Sequence, residues 1–366
     1  MVIPWSRALA WRLERHFLGR FPAASVEAAV EGVVSLQAGT GDVELAVGTR
    51  RARADAGAVA RALDEGRILK TYLFGGATHL VTPRAAADLL ALRGSQRQWE
   101  LPDWQSFYGL SPEAWKPLRA LVRDALADGP LTRDELVAAV TADSAFVHLG
   151  EALRSGSQTF LKPFAWQGDL SLGPTRDGAP TFRSLDGVPG WNGIPDLDEA
   201  GPRALVTYVG SYGPVTVSNL KYRFGEGLSA GGRRLTGWLS SLEGRLVEIE
   251  TDAGAALCLA EHVDAIAGTA PSDEVRLLPG YDPWVLGPGT ADPRVVPPAR
   301  RAVASRGSNL VLRGGVVSGS WRAVTGRLEV LWFEQAGPVP GERLAAEAAR
   351  LGELLDREFA LEVTSG

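Results

Sequence analysis

One cysteine and four histidines in 366 residues exclude whole classes of chemistry. Cys258 stands alone in the apolar run 255–260, so no intrachain disulfide and no cysteine-based metal site can be assembled, and its expected role is that of a small buried hydrophobe. His16, His79, His148 and His262 lie far apart with no His-x-x-x-His spacing, so neither a metal nor another cofactor is expected. No window approaches the roughly 18 consecutive apolar residues that a membrane span needs. The opening Met1-Val2-Ile3-Pro4-Trp5 also lacks the basic-then-apolar layout of a secretory signal. These absences read as a cytoplasmic protein with no membrane partner.

An excess of positive charge is missing too: Lys and Arg number 38 against 43 Asp and Glu, a formal charge of −5. The average hides two basic stretches. Between residues 293 and 328 stand seven arginines, Arg294, Arg300, Arg301, Arg306, Arg313, Arg322 and Arg327, with no acidic residue. Between 202 and 242, Arg203, Lys221, Arg223, Arg233 and Arg234 face only Glu226. They read either as scattered solvated side chains or as phosphate contacts.

The most informative stretch is 33–53, centred on Gln37. A helical pattern through Val26, Ala29, Val30, Val33 and Val34 stops at Leu36-Gln37, where Gly39 and Gly41 break it. Alternation from 43 to 47 then predicts a strand. Gln37 sits where regular structure ends, either to answer an orphan backbone group or to do chemistry.

Elsewhere the periodicities predict helices over 6–18 and 56–65, and a hairpin of strands 68–73 and 78–81 turned by Gly75-Gly76. Helix 117–127, a capping box at Thr132-Arg133-Asp134-Glu135, a helix over 148–159 and a wing over 164–184 repeat the plan. A third copy follows: a helix opened by Pro202, helices 217–224 and 233–242, and a hairpin about 251–254. The breaks Gly129-Pro130 and Gly213-Pro214 match, each followed two residues later by a threonine, Thr132 or Thr216. The fold class expected is α+β: three tandem winged-helix domains at 1–116, 117–199 and 200–266, then a β-rich, barrel-like C-terminal domain at 267–366 covered by a helix over 340–358.

Three motifs in order now carry a resemblance. They are Leu36-Gln37-Ala38, the run 67–81 ending in Thr78-His79-Leu80-Val81, and the run 277–287 containing Gly280-Tyr281-Asp282-Pro283-Trp284, with the late hairpin ending Gly319-Ser320-Trp321-Arg322. Together they resemble the AlkZ and YcaQ family of bacterial DNA glycosylases over nearly the whole chain. The resemblance implies a C-shaped clamp on double-stranded DNA, hydrolysis of the N-glycosidic bond of N7-alkylated purines, and unhooking of interstrand crosslinks. For AlkZ-like members it also implies self-resistance to genotoxic natural products. Its catalytic motif is Gln-x-Gln in one group and Gln-x-Asp in the other. Gln37 matches the first position, whereas the second is Gly39.

The chemistry asks little of the protein. An N7-alkylguanine is already cationic and leaves neutral, so catalysis reduces to positioning water and stabilising an oxocarbenium ion. Gln37 can accept from water and donate elsewhere. Asp42, three residues past Gly39, offers a carboxylate that can serve as base. His79 either touches the lesion or a phosphate, or is a hydrogen-bonded structural histidine. Asp282, before Pro283, reads as a turn former. Arg50, Arg51, Arg53, Lys221, Arg223, Arg233, Arg234, Arg313 and Arg322 are the candidate DNA contacts. The expected partner is alkylated or crosslinked duplex DNA, bound by a monomer at the nucleoid. A catalytically idle DNA-binding protein, regulatory or lesion-sequestering, is the alternative.

Overall fold

The computed structural model describes residues 2–53, 55–156 and 158–366, and no helix among them is long and apolar enough to cross a membrane. The fold is mixed α+β. It divides into two compact units, one of Met1–Val59, Leu205–Arg223 and Thr236–Gly366, the other of Ala60–Ala204 and Phe224–Leu235.

The first unit is built on an open sheet of five strands in the order Ala360–Ser365, Arg327–Trp332, Val316–Val324, Leu310–Arg313 and Val275–Leu278. Neighbours are antiparallel except the first pair, which is parallel. The strand period of two sorts side chains between two cores. Val311 joins Trp321, Val330 and Trp332 beneath Leu344, Ala348 and Leu351 of the helix Gly341–Leu355. Leu310, Leu312 and Val317 instead pack with Trp5, Leu9 and Leu13 of the helix Trp5–Arg15, and with Trp284. The barrel expected for this region is replaced by an open sheet. Its outermost strand, Ala360–Ser365, was hidden in the sequence because the apolar stripe of the preceding helix ran on towards it; Asp356 at φ 51° ends that helix.

In the second unit, strands Thr78–Val81, Leu69–Tyr72, Ser171–Leu172, Thr181–Arg183 and Leu131–Thr132 lie side by side in that order. The two expected wings thus share one sheet, joined where Lys70 faces Leu172. The helices Pro83–Gly94, Pro112–Ala125 and Arg133–Thr141 belong to this unit. Both Gly-Pro breaks lead into full capping boxes: Thr132 with Glu135, and, in the first unit, Thr216 with Asn219.

Several expected elements differ. Residues 43–47 are helical, in Val43–Gly48, because the Asp42 carboxylate accepts from the Leu45 amide and starts a turn that buries Leu45, Ala46 and Val47 together. The helix expected over 148–159 is reduced to Gly150–Arg154, ahead of Gln158 at φ 57°. The helix expected to open at Pro202 starts earlier, at Leu197, with Pro202 inside it. The element over 217–224 splits into Val217–Leu220 and a π-helical stretch Lys221–Gly227.

His16, fully buried in the first unit, makes stability depend on pH. Its Nε2 lies 3.2 Å from the Ser211 carbonyl oxygen, and its ring stands edge-on to Tyr212 and Trp284. Burial first, then the charges of Arg50 and Arg12, holds its pKa well below the ordinary histidine value. Below about pH 6.5 the unfolded chain takes up a proton that the folded chain refuses, so stability falls as pH drops, by at most about 1.4 kcal/mol per pH unit. Urea unfolding between pH 7.5 and 5.5 should show that slope, and His16→Gln should flatten it.

Candidate active site

Gln37 closes the short extended pair Leu36–Gln37 at the mouth of an exposed loop. The chain reaches it under constraint. Val34, 2 % exposed, holds φ at 66°, an outlying conformation for a β-branched residue. Two long-range hydrogen bonds fix this approach: Tyr212 Oη donates to the Val33 carbonyl at 3.0 Å, and Arg223 Nη2 donates to Ser35 Oγ at 3.2 Å. Beyond Leu36 the burial stops. Gln37 is half-buried, and its Nε2 donates to Thr40 Oγ1 at 2.9 Å. Among the described residues Oε1 meets no donor, so it remains available as an acceptor. Gly39 is exposed and offers no side chain at the second motif position. Asp42 is exposed as well, with Oδ1 committed to the Leu45 amide at 2.9 Å.

The motif around Tyr281 is the floor beneath this loop. A Cβ added to Gly41 would lie 3.2 Å from the Gly280 carbonyl oxygen. Asp282 caps the helix Pro283–Leu286 by accepting from the Trp284 amide at 2.8 Å. Its two oxygens also receive Arg50 Nη1 and Nη2, each at 2.8 Å, in a fork whose side chains are both 0 % exposed. The helix after Gln37 is thereby tied to the motif below. Gly280 and Gly307 are required here for close approach: a Cβ on Gly280 would come within 2.0 Å of the Gly307 oxygen, and one on Gly307 within 2.1 Å of the Tyr281 ring.

The other candidates separate by burial. Arg50 is corrected from a phosphate contact to an internal ion pair, since its guanidinium cannot meet solvent. Arg223 is corrected likewise: it is 5 % exposed and positions Ser35. Arg51 pairs with Asp55 at 3.5 Å, and Arg322 with Glu329, its cross-strand neighbour, at 2.5 Å. Arg313 is partly buried and donates weakly to the Ala336 and Pro338 carbonyls. Arg53, Lys221, Arg233 and Arg234 are exposed. The linear reading of an acid-free segment overlooked carboxylates that arrive from neighbouring strands. His79 belongs to the second unit. It is 4 % exposed, with Nδ1 3.0 Å from the Ala77 carbonyl oxygen and its ring edge-on to Phe74, a placement that favours the structural alternative. Among the described residues, no group of three or more His, Cys, Asp or Glu side chains is arranged to hold a metal ion.

Comparison with known proteins agrees with the resemblance read from the motifs. A family model described as DNA glycosylase AlkZ-like matches residues 30–356. An interstrand DNA cross-link repair glycosylase of Streptomyces sahachiroi is 34% identical over 358 residues, covering 96% of each chain. The solved structure of Streptomyces sahachiroi DNA glycosylase AlkZ matches with a TM-score of 0.92 at 33% identity, covering 100% of both chains. The chain belongs to the AlkZ-like family of DNA glycosylases.

Proposed function

We propose that the protein is a monofunctional DNA glycosylase, hydrolysing the N-glycosidic bond of bulky N7-alkylpurine lesions or interstrand crosslinks in duplex DNA, in repair or in self-resistance to a genotoxin. It acts in the cytoplasm as a monomer. Its relative's description as an interstrand cross-link repair glycosylase supports the substrate class. The observation that carries the reading is the Gln37 amide, turned by Thr40 so that a free acceptor oxygen stands at the mouth of an exposed loop. Such an oxygen can hold water in line with the sugar carbon of a base that needs no protonation to leave. Asp42, five residues on in the same loop, bonds the Leu45 amide through Oδ1 and is the candidate carboxylate to stabilise the developing cation. The division into three winged helices at 1–116, 117–199 and 200–266 and a C-terminal domain at 267–366 is part of the proposal. The two capping boxes that follow matching Gly-Pro breaks support it.

The test is incubation with a duplex carrying N7-methylguanine and with a crosslinked duplex, followed by alkaline cleavage of abasic sites. Base release above background is expected, and none with either substrate would sink the enzymatic reading. A second reading, a DNA-binding protein without catalysis, is favoured by the absence of any side chain at Gly39; it predicts tight binding of both duplexes with no abasic product.

Asp42 can be separated from its cap. Asp42→Ala should cost about 1 kcal/mol of stability, the usual worth of an N-cap, whereas Asp42→Asn keeps a capping oxygen and should cost only a few tenths. If the carboxylate charge serves the chemistry, Asp42→Asn slows base release at unchanged melting temperature. Equal rates in Asp42→Asn and wild type would confine Asp42 to the cap.

A further inference from the structure

The run 67–81 contributes more than a hairpin. Its turn, Gly75 at φ 62° followed by Gly76 at φ 74°, requires two left-handed residues. It sits under a lysine from a distant part of the second unit. Lys162 begins the helix Lys162–Trp166 and lays its stem across Gly76: a Cβ there would lie 3.3 Å from Nζ, 3.7 Å from Cδ and 3.8 Å from Cε. Gly75 is exposed, and a Cβ built on it would meet nothing within 4 Å, so the turn opens to solvent on that side.

Many arginines of this unit are paired with acids, and this lysine is not. Arg119 and Arg123 share Asp169, Arg203 takes Asp88, and Arg67, Arg97 and Arg176 pair with Glu65, Glu100 and Glu135. Lys162 has no hydrogen-bond acceptor and no carboxylate among the described residues, only the face of Tyr72 with its centroid 5.9 Å away. The charge it feels is a second cation. Arg93, 8 % exposed, lies over Trp166 at 4.2 Å with Nε and Nη1 unpartnered. Partial burial first, and then Arg93, lowers the Lys162 pKa. A partly desolvated cation with no acid beside it and a second cation in its field is an arrangement that an anion relieves.

We propose that Lys162, seated over the Gly75-Gly76 turn, binds a phosphodiester of the DNA backbone. The proposal rests on the DNA-glycosylase reading and adds a contact on the second unit that positions the duplex without reading sequence. Lys162 is a point cation at an open turn, the geometry of a single phosphate contact.

The experiment measures affinity for an undamaged 20-base-pair duplex across a chloride titration, so base release plays no part. Each phosphate contact adds about 0.9 to the magnitude of the log-log salt slope. Lys162→Gln, which keeps the stem over Gly76, should lower the magnitude by about 0.9, and Lys162→Arg should retain it, at unchanged melting temperature. An unchanged slope in Lys162→Gln overturns the contact. So does a slope lowered equally in Lys162→Arg, which assigns the lysine to packing. Repeating the titration with inorganic phosphate at matched ionic strength separates the sources of the anion: loss of phosphate sensitivity in Lys162→Gln with an unchanged DNA slope assigns the site to free phosphate and also overturns it. Absence of salt-dependent binding by the wild type would instead remove the DNA reading itself.

Discussion

Gln37→Ala is expected to slow release of N7-alkylated base by about 10²- to 10³-fold, the range found when one preorganised group facing developing charge is removed. The loop has no second side chain at Gly39 to take over its task. Water can still enter the space the amide leaves, but nothing orients it, and orientation is most of what this reaction asks of the protein. The effect should fall on the single-turnover rate with saturating enzyme rather than on DNA affinity. Gln37 is half-buried, and its side chain bonds only Thr40, so stability should change by no more than about 0.5 kcal/mol. A variant that binds and melts like the wild type and cleaves at the same rate would exclude Gln37 from the chemistry.

Arg50→Met is expected to cost about 3–5 kcal/mol, because it leaves the Asp282 carboxylate charged, buried and without its fork. Asp282 also caps the helix beneath the Gln37 loop, so the loss should loosen that floor and, if Gln37 carries the chemistry, lower base release as well. Adding Asp282→Asn should recover most of the stability: it removes the stranded charge while keeping an oxygen for the Trp284 amide. Urea melts of the single and double variants measure the difference. If Arg50→Met melts like the wild type, the pair does not hold the two segments together. The same experiment distinguishes an internal ion pair from the surface contact that the Arg50-Arg51-x-Arg53 cluster suggests, since loss of a surface arginine would move the salt slope of DNA binding and leave the melt alone.

The fold was legible in the sequence where its logic is local. The Gly75-Gly76 turn and the Thr132 capping box are written within a few residues, and each stands where the spacing placed it, whereas the helix read through Val34 ends at Gly32 and Gln37 lies in an extended pair instead. What was not legible depends on partners far along the chain. Asp282 is 232 residues from Arg50, and Ser35 is 188 from Arg223, so nothing near either arginine shows that it is buried. The acid-free stretch after residue 293 is similarly deceptive, because Glu329 reaches Arg322 across a strand pair. The misread strand at 43–47 has a local cause. Val43, Leu45 and Val47 alternate, but Asp42 supplies a cap, and the helix wins once the adjacent Ala46 is buried too. Lys162 carried no motif at all, and only the packing of its stem on Gly76 makes it visible.

The meeting of Gly280 with Gly307 also bears on how the sequence can drift. The first has no room because of the carbonyl oxygen of the second, and the second has none because of the ring that follows the first. Neither site can accept a side chain in advance of the other, and no change at one creates space for a change at its partner. Single-step exchange is therefore closed in both directions. A library randomised at both codons should return the glycine pair almost alone, while a parallel library at the open positions Gly156 and Gly225 tolerates many residues.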